Sequence, residues 1–479
     1  MKYIWRNIIT FLAAVSLALS LCACGSSPWR FDPGVAQTPS GLVATAGDGE
    51  VALSWSPANG AAGYNVYYAS SPGVTADNGV KVPAAAVSST VVSGLSNGTR
   101  YYFAVSALNA KSESAISNEV SVVPSVPGPF RQVDLQGSWR FNALVSGAGA
   151  RWMRGVVDID AAGLVSVASF LDSSGNTLAP AELFSTMTIL PDGSVSQGGA
   201  AAGFHGVLAA NLHKDMLVAT ASPGGSYRLL VILQKSVPGI SFSAADIKGT
   251  GRLVAGALPY VYHQLSSGAL SEWEHASCQV GQDQGVSYIS LNAPTPRLLP
   301  GGGSKVVSLS ITVDGIVTEN PYPGVLPQPA ALMTQGVMSA DKMAIVATAT
   351  DVNGAPVLRV VQLVHPPAVS LTVSSYLLGD LAGPYGFHAL DGAASPGWAY
   401  GEQSVDASGT VAFSAYRDAN GSVALPGSYT LAMDPQGALS DAADPSYHGQ
   451  FSYFKEMVVA TRTDAAGASS LSIALKRFQ

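Results

Sequence analysis

The amino-acid sequence predicts an all-β protein, and its composition and hydrophobic patterning both point to that fold class. The 479 residues include 51 glycines and 29 prolines, which favours many short strands joined by turns over helical bundles. Apolar residues alternate with small or polar ones over short segments, and beyond the N-terminus a helical period is nearly absent. The chain is long enough for several domains with separate hydrophobic cores.

The charge balance argues against one class of partner. Only 11% of the residues are charged, and the formal net charge is −7. Nucleic-acid phosphates are bound by clustered Lys and Arg side chains, which this balance does not favour. We therefore expect no nucleic-acid partner.

The first 23 residues have the pattern of a secretory signal peptide. The basic residues Lys2 and Arg6 precede an apolar run of 14 residues from Ile8 to Leu21. That run is short for a membrane-spanning helix but normal for the apolar core of a signal peptide. We expect residues 1–23 to be removed from the mature protein.

The end of this segment resembles the lipid-attachment box of bacterial lipoproteins. Leu21 lies three residues before Cys24, the small residue Ala23 precedes it, and Gly25 follows it. The resemblance implies that Cys24 carries acyl chains, palmitate among them, and becomes the mature N-terminus; the alternative is ordinary signal cleavage or an uncleaved anchor. It also implies a cell-envelope location, and Gly25 in place of Asp favours sorting to the outer membrane. The membrane is then reached through lipid, since several buried acyl chains make attachment stable.

The remaining cysteines limit the redox and metal chemistry. The chain contains Cys22, Cys24 and Cys278, so lipidation of Cys24 would leave Cys278 as the single thiol of the mature protein. We expect neither an internal disulfide nor a cysteine zinc site. Residues 24–37, rich in Ser, Pro and Gly, are expected to form a linker.

Residues 38–124 are predicted to fold as a β-sandwich. Period-two alternation marks strands at Val51–Trp55, Tyr64–Tyr68 and Tyr101–Ala107. Two packed antiparallel sheets would bury the apolar side chains of one face of each strand. The residues expected in this core are Val51, Leu53, Trp55, Val66, Phe103 and Val105.

The same segment resembles a fibronectin type III domain. The motifs are ALSW ending at Trp55, GYNVYYA at 63–69, LSNGTRYYFAVSALN at 95–109 and SNEVSV at 117–122. The resemblance implies a tyrosine corner, in which Tyr101 bonds back to the preceding loop. It also implies a spacer or adhesion module without catalysis.

The rest of the chain is a threefold repeat, with modules at 130–236, 244–365 and 376–479. Each copy begins with an Asp-x-x-Gly tetrad, and a tryptophan follows that tetrad. Trp152 and Trp398 each lie 15 residues after the glycine, whereas Trp273 lies 24 residues after it, so copy two carries an insertion. The three tetrads are residues 134–137, 246–249 and 380–383.

Each repeat is expected to form about eight antiparallel strands in a meander. Further Asp-x-x-Gly tetrads separate the apolar segments, and such tetrads favour turns because Asp bonds its own backbone and Gly accepts positive φ. Eight such strands can close into a barrel and so remove exposed edges. The alternative architecture is a single β-propeller to which each repeat contributes two four-stranded blades.

Copy one weakly resembles lipocalin-like barrels. Gly137-Ser138-Trp139 opens its first strand and Lys235 ends its last. The resemblance implies that the Lys235 cation packs over Trp139 and seals one end of the barrel. Copy two has Gly249-Thr250-Gly251 and copy three Gly383-Pro384-Tyr385 at the first motif, so both depart from the pattern.

Four residues are candidates for weak ligand binding. His205 and His448 each lie in an aromatic-His-Gly triplet, and an imidazole can orient a ligand or act as a base. The alternative is a strand-end histidine that bonds a turn carbonyl. Trp152 and Trp398 could stack on sugars, or fill the end of a barrel. No cofactor, metal site or catalytic residue is predicted.

These features favour a non-enzymatic lipoprotein of the bacterial cell envelope that acts in binding, structure or adhesion. Its partners would be the membrane, through the lipid, and a protein or carbohydrate of the envelope or extracellular matrix. The alternative is an enzyme or accessory factor acting on envelope or extracellular polysaccharide, since fibronectin-like domains often accompany such enzymes. A purely architectural protein is expected if side chains fill the barrels.

Overall fold

The computed structural model contains one sandwich followed by three eight-stranded sheets in chain order. It describes residues 36–47, 49–84, 88–109, 112–124, 130–147, 149–179, 185–198, 203–211, 213–222, 228–247, 258–268, 271–280, 285–292, 305–321, 335–342, 344–351, 354–363, 376–392, 397–452, 455–463 and 467–477. None of the helices in these ranges is long and apolar enough to cross a membrane.

The first module is the predicted sandwich, and its two sheets have the strand orders β1-β2-β5 and β4-β3-β6-β7. All six side chains predicted for its core are buried, none more than 3% exposed. The tyrosine corner is present, because Ser96 N donates to Tyr101 Oη over 3.2 Å. The strands are β1 (Ser40–Ala46), β2 (Glu50–Ser56), β3 (Gly63–Ala69), β4 (Val80–Ala84), β5 (Ser89–Ser93), β6 (Tyr101–Leu108) and β7 (Val120–Val122).

Each repeat forms one antiparallel sheet of eight strands, here called barrel 1, barrel 2 and barrel 3. Barrel 1 contains β8 (Gly137–Ser146), β9 (Arg151–Ile159), β10 (Val165–Asp172), β11 (Met187–Ile189), β12 (Ser194–Gln197), β13 (His205–Leu208), β14 (Met216–Ala221) and β15 (Arg228–Lys235). Barrel 2 contains β16 (Leu258–Ser266), β17 (Trp273–Val280), β18 (Gly285–Asn292), β19 (Lys305–Ile311), β20 (Ile316–Pro321), β21 (Gln335–Met338), β22 (Ala344–Thr350) and β23 (Pro356–Leu363). Barrel 3 contains β24 (Gly383–Asp391), β25 (Trp398–Val405), β26 (Thr410–Asp418), β27 (Tyr429–Met433), β28 (Ala438–Asp441), β29 (Asp444–Phe451), β30 (Met457–Thr463) and β31 (Ser469–Lys476).

The barrel prediction is confirmed, and the propeller alternative is wrong. Barrels 2 and 3 are closed, because their first strands pair with their last. In barrel 1 the described strands run in the order β10-β9-β8-β15-β14-β13-β12-β11, with no strand pairing between β10 and β11. These two strands still meet at one end, where Met187 N donates to Gly163 O over 2.8 Å.

Short helical turns precede the barrels, at Gln132–Leu135, Ala244–Ile247 and Leu378–Leu381. They contain the first Asp-x-x-Gly aspartate of each repeat, so these tetrads are not hairpin tips. The later tetrads are turns, as the sequence predicts. In two of them the aspartate accepts backbone N–H bonds: Asp160 Oδ1 accepts from Ala162 N and Leu164 N, and Asp406 Oδ1 accepts from Ser408 N and Thr410 N.

A hydrophobic core shared by all three barrels joins them to one another. Strand β14 lies at this junction, and all six of its residues are buried, so both of its faces are covered. The core takes Val218 and Leu230 from barrel 1, Val346 from barrel 2, and Val459 and Ile473 from barrel 3, with other residues of all three. The repeats are therefore one packed body rather than independent modules on a string.

Candidate functional site

A lysine packs over an aromatic ring at one end of barrel 1, as the lipocalin-like resemblance implies. Lys235 Nζ lies 5.4 Å from the centroid of the Trp139 ring and donates to Asp134 O over 2.8 Å. Trp139 Nε1 donates to Leu135 O over 2.7 Å. The indole is fully buried, so its N–H bond satisfies a donor that water cannot reach.

Barrel 3 keeps the same arrangement with tyrosine in place of tryptophan. Lys476 Nζ lies 5.9 Å from the ring centroid of Tyr385 and donates to Asp380 O. Tyr385 Oη donates to Leu381 O over 2.9 Å. Burial raises the pKa of Tyr385, and the nearby Asp380 carboxylate adds to the shift. The apparent departure of copy three from the motif is thus a conservative exchange of aromatic rings.

Copy two uses Tyr260, whose hydroxyl donates to Asp246 O over 3.4 Å. Tyr260 lies 14 residues after its aspartate, whereas Trp139 lies five residues after Asp134. The insertion detected from the position of Trp273 therefore precedes the first strand of barrel 2. The aromatic residue is present but displaced along the chain, which is why Gly249-Thr250-Gly251 does not match the motif.

A second lysine in each repeat was not identified from sequence as a structural residue. Lys214, Lys342 and Lys455 are the described non-glycine residues with positive φ, at 46°, 65° and 63°. Lys214 Nζ lies 2.7 Å from Asp134 Oδ2, and Lys455 Nζ lies 2.6 Å from the matching oxygen of Asp380. The repeated lysines before the seventh strands were the available signal.

The third such lysine, Lys342, connects barrel 2 to the sandwich. Lys342 Nζ lies 3.1 Å from Asp246 Oδ1, and both side chains are almost fully buried. Ser88 of the sandwich bonds both partners, since its hydroxyl lies 2.7 Å from each. Burial lowers the pKa of Lys342, while Asp246 opposes that shift. A buried charge pair thus fixes the sandwich against barrel 2.

Tryptophans link the three barrels in a cycle. Trp152 of barrel 1 donates from Nε1 to Thr350 of barrel 2 over 2.8 Å. Trp273 of barrel 2 donates to Thr463 of barrel 3 over 2.7 Å, and Trp398 of barrel 3 donates to Ser222 of barrel 1 over 2.5 Å. We call the interfaces the first seam (barrels 1 and 2), the second seam (barrels 2 and 3) and the third seam (barrels 3 and 1).

A second set of polar contacts follows the same cycle. Thr348 Oγ1 donates to Asn142 Oδ1 over 3.1 Å at the first seam. His263 Nδ1 lies 3.3 Å from Thr461 Oγ1 at the second seam. His388 Nδ1 lies 3.2 Å from Thr220 Oγ1 at the third seam. Three equivalent threonines therefore bond the first strand of a neighbouring barrel.

The four predicted ligand-binding residues all lie at these seams. Trp152 is 9% exposed and Trp398 is 7% exposed, and each indole N–H is bonded across a seam. The His205 ring stacks on Tyr400 with centroids 4.2 Å apart, and the His448 ring stacks on His275 at 5.6 Å. The structure does not bring the four residues into one site, and ligand binding at them stays a prediction.

Burial lowers the pKa of both predicted histidines. For His205 the nearby Arg417 guanidinium lowers the pKa further. For His448 the Asp444 carboxylate opposes the shift. Both rings are therefore biased towards the neutral form by their place in the seams.

Barrel 1 carries a cleft of about 560 Å³ beside the end of β10. Its walls include Phe170, Asp172 and Arg151, whose guanidinium Nε lies 3.8 Å from Asp172 Oδ2. Leu178 also lines the cleft and is 86% exposed.

Some predicted features lie outside the described residues. These are the signal peptide, Cys24 and most of the linker. Among the residues that the structure describes, no group of three or more His, Cys, Asp or Glu side chains is arranged to hold a metal ion.

Comparison with known proteins supports the sandwich assignment. Residues 37–123 match the family model of the fibronectin type III domain. A segment of 93 residues is 37% identical to amylopullulanases of Thermoanaerobacterium thermosulfurigenes and Thermoanaerobacterium saccharolyticum. The match covers 19% of this chain but only 5% and 7% of the two enzymes.

The solved structures that align with most of the chain include transferrin binding protein B from two bacteria. The Neisseria meningitidis protein has a TM-score of 0.23 and 9% identity, with 92% of this chain and 79% of that one covered. A mutant of the Haemophilus parasuis protein has a TM-score of 0.21 and 7% identity, with 79% and 83% covered. Scores this low carry no functional argument.

Proposed function

We propose that the chain is a lipid-anchored, non-enzymatic binding protein of the bacterial cell envelope, and that its partner docks at the cleft of barrel 1. The observation that carries the proposal is the difference between the barrels. Barrels 2 and 3 are closed, whereas in the described part of barrel 1 the edge strands β10 and β11 do not pair with each other, and the cleft lies beside β10.

The packing of the body supports a binding role for that cleft. The seams and the Lys342 ion pair hold the sandwich and all three barrels in fixed positions. A surface fixed in advance loses little conformational entropy when a partner binds. The partner would be a protein or a carbohydrate of the envelope or extracellular matrix.

The cleft proposal is tested by one added charge. We expect Leu178→Asp to weaken retention of the bound envelope component at least tenfold, because a carboxylate replaces an exposed apolar contact; a tenfold change corresponds to about 1.4 kcal/mol. The non-lipidated Cys24→Ala protein would be immobilised and exposed to envelope proteins and polysaccharides of its source cells. Leu190→Asp is the matched control, since Leu190 is also exposed but does not line the cleft. Equal retention by both variants and the parent would refute the cleft as the docking site.

The anchor is tested separately. We expect palmitate to label the wild-type protein and to be lost completely in Cys24→Ala, because Cys24 is the residue that would carry the acyl chains. The measurement is metabolic labelling followed by membrane fractionation. Unchanged labelling of the variant would exclude Cys24 as the attachment site.

The alternative, an enzyme or accessory factor for polysaccharide, is not favoured. Its one link to polysaccharide enzymes is the similarity of a 93-residue segment to amylopullulanases. That segment is a small part of those enzymes, and it overlaps a domain type that serves as a spacer.

A further inference from the structure

Two of the three seams contain stacked histidines, and barrel 3 takes part in both. At the second seam the His263 and His275 rings are stacked with centroids 4.7 Å apart, and His448 of barrel 3 stacks on His275. At the third seam the rings of His388 and Tyr400, both in barrel 3, are stacked with centroids 5.9 Å apart. Tyr400 also stacks on His205 of barrel 1.

The first seam has different residues at the matching positions. Sheet register pairs Asn142 with Arg154 in barrel 1, as it pairs His263 with His275 and His388 with Tyr400. In barrel 2 Gln335 pairs with Thr348. The matching pairs are His205 with Thr220 in barrel 1 and His448 with Thr461 in barrel 3. The equivalent group at the first seam is therefore Asn142, Arg154 and Gln335, which contains no histidine.

Two histidines of the second seam, His263 and His275, have buried ring nitrogens without a hydrogen-bond partner among the described residues. These atoms are both ring nitrogens of His275 and Nε2 of His263. A protonated ring would place a charge and an unbonded N–H donor inside the seam, and two stacked cations would repel each other. The neutral rings, by contrast, pack as flat apolar groups.

We propose that mild acid releases barrel 3 from barrels 1 and 2, because protonation of the seam histidines opens the second and third seams while the first seam stays closed. This device is independent of the proposed binding at the cleft. The histidines of the second and third seams are the sensor, and barrel 3 is the moving unit.

The direction of the pH effect follows from the folded and unfolded states. Burial lowers the pKa of His275 to about 4, with His448 adding to the shift. Burial lowers the pKa of His388 to about 3, with His205 and Arg477 adding to it. The unfolded rings take up protons near pH 6.5. The seams are therefore fully stable above that pH and lose stability as the pH falls towards the folded values.

Other charged groups face these histidines or share their strands. The Asp444 carboxylate raises the pKa of His448 and so favours its charged form. The Arg417 guanidinium lowers the pKa of His205 and so disfavours its charged form. Burial and neighbouring carboxylates raise the pKa of Glu456 well above its usual range. Protonation of Glu456 therefore stabilises the folded protein in acid, which opposes the effect of the histidines. The remaining charged residues on the seam strands are Arg228, Lys235, Glu274, Asp391, Glu402, Arg462 and Lys476.

The experiment exchanges the seam histidines for residues that the other copies use. The variant combines His263→Asn, His275→Tyr, His448→Gln, His388→Asn and His205→Gln, and it keeps Glu456, whose effect then cancels in the comparison. Between pH 6.5 and 4.5 we expect the wild-type equilibrium constant for closed over open seams to fall more than that of the variant, by a factor on the order of 100 for each of His275 and His388, at tenfold per pH unit. His213→Asn, outside the seams, should behave like wild type.

Release is read by small-angle scattering and circular dichroism at pH 7.5 and 4.5. We expect the wild-type radius of gyration to rise reversibly in acid with the strand signal retained, and the variant to keep its radius. A wild-type radius that stays constant, or a variant that expands equally, would overturn the proposal. Loss of the strand signal together with the expansion would show global unfolding and would also overturn it.

A second measurement needs no variant. Hydrogen exchange at the histidine ring carbon, read by mass spectrometry on the wild-type protein, gives the titration of each ring. We expect His275 and His388 to titrate near 4 and 3. Titration of both near pH 6.5 would contradict the proposal even if the variant failed to fold.

Discussion

Replacing Lys342 with alanine is expected to lower the free energy of unfolding by about 3–5 kcal/mol, the usual cost of breaking a buried ion pair by removing one partner. The substitution leaves the Asp246 carboxylate buried without its cation and removes the ammonium that bonds Ser88. The sandwich should therefore also lose its fixed position against barrel 2. Urea unfolding monitored by circular dichroism measures the first effect.

The matched control is Lys214→Ala. Lys214 occupies the same position in barrel 1, but its ion pair with Asp134 is partly exposed, at 20% and 12% of the two side chains. Water can solvate the remaining carboxylate there, so we expect a loss of about 1 kcal/mol. Equal losses for the two variants would mean that burial of the Lys342 pair does not set its contribution.

Replacing Trp398 with alanine is expected to cost about 3–5 kcal/mol, because it empties a buried volume at the third seam. Trp398 belongs to the core shared by the three barrels and donates to Ser222 of barrel 1. Trp398→Phe keeps most of the apolar contact and loses the hydrogen bond, so its cost should be about 1 kcal/mol.

Thermal and urea unfolding of the two Trp398 variants test this ordering. A ligand-stacking role for Trp398, without a role in packing, would leave both variants as stable as wild type. A loss in the alanine variant no greater than in the phenylalanine variant would contradict the interlocking role that the geometry indicates.

The strands and turns could be predicted from sequence because their causes are local. Aspartates such as Asp160 and Asp406 bond backbone amides within their own turns, so their effect is confined to a few residues. Gly137-Ser138-Trp139 and the position of Lys235 implied a cation packed over an aromatic ring at one end of a barrel, and the Lys235–Trp139 contact is present.

The seams could not be predicted, because they depend on contacts between residues far apart in the chain. Trp152 and Thr350 are separated by 198 positions, and no local pattern pairs them. One signal was available: Met216–Ala221 contains few polar residues on either face, which is typical of a strand covered on both sides. The aromatic residue of copy two, Tyr260, could not be recognised from the motif either, because an insertion separates it from the Asp-x-x-Gly tetrad.

The direction of the tryptophan links determines how many copies this body can hold. Each barrel donates one indole N–H bond to the next barrel and accepts one from the previous barrel. The bonds run from barrel 1 to barrel 2, from barrel 2 to barrel 3 and from barrel 3 back to barrel 1, so the ring is complete with three barrels. Among the described residues, the acceptors of this ring are Thr350, Thr463 and Ser222, and all three are occupied, so a further duplicate would find no free acceptor in the ring. Gene duplication could lengthen the polypeptide, but a fourth unit would find no place in the assembly, and loss of one unit would expose two apolar surfaces at once.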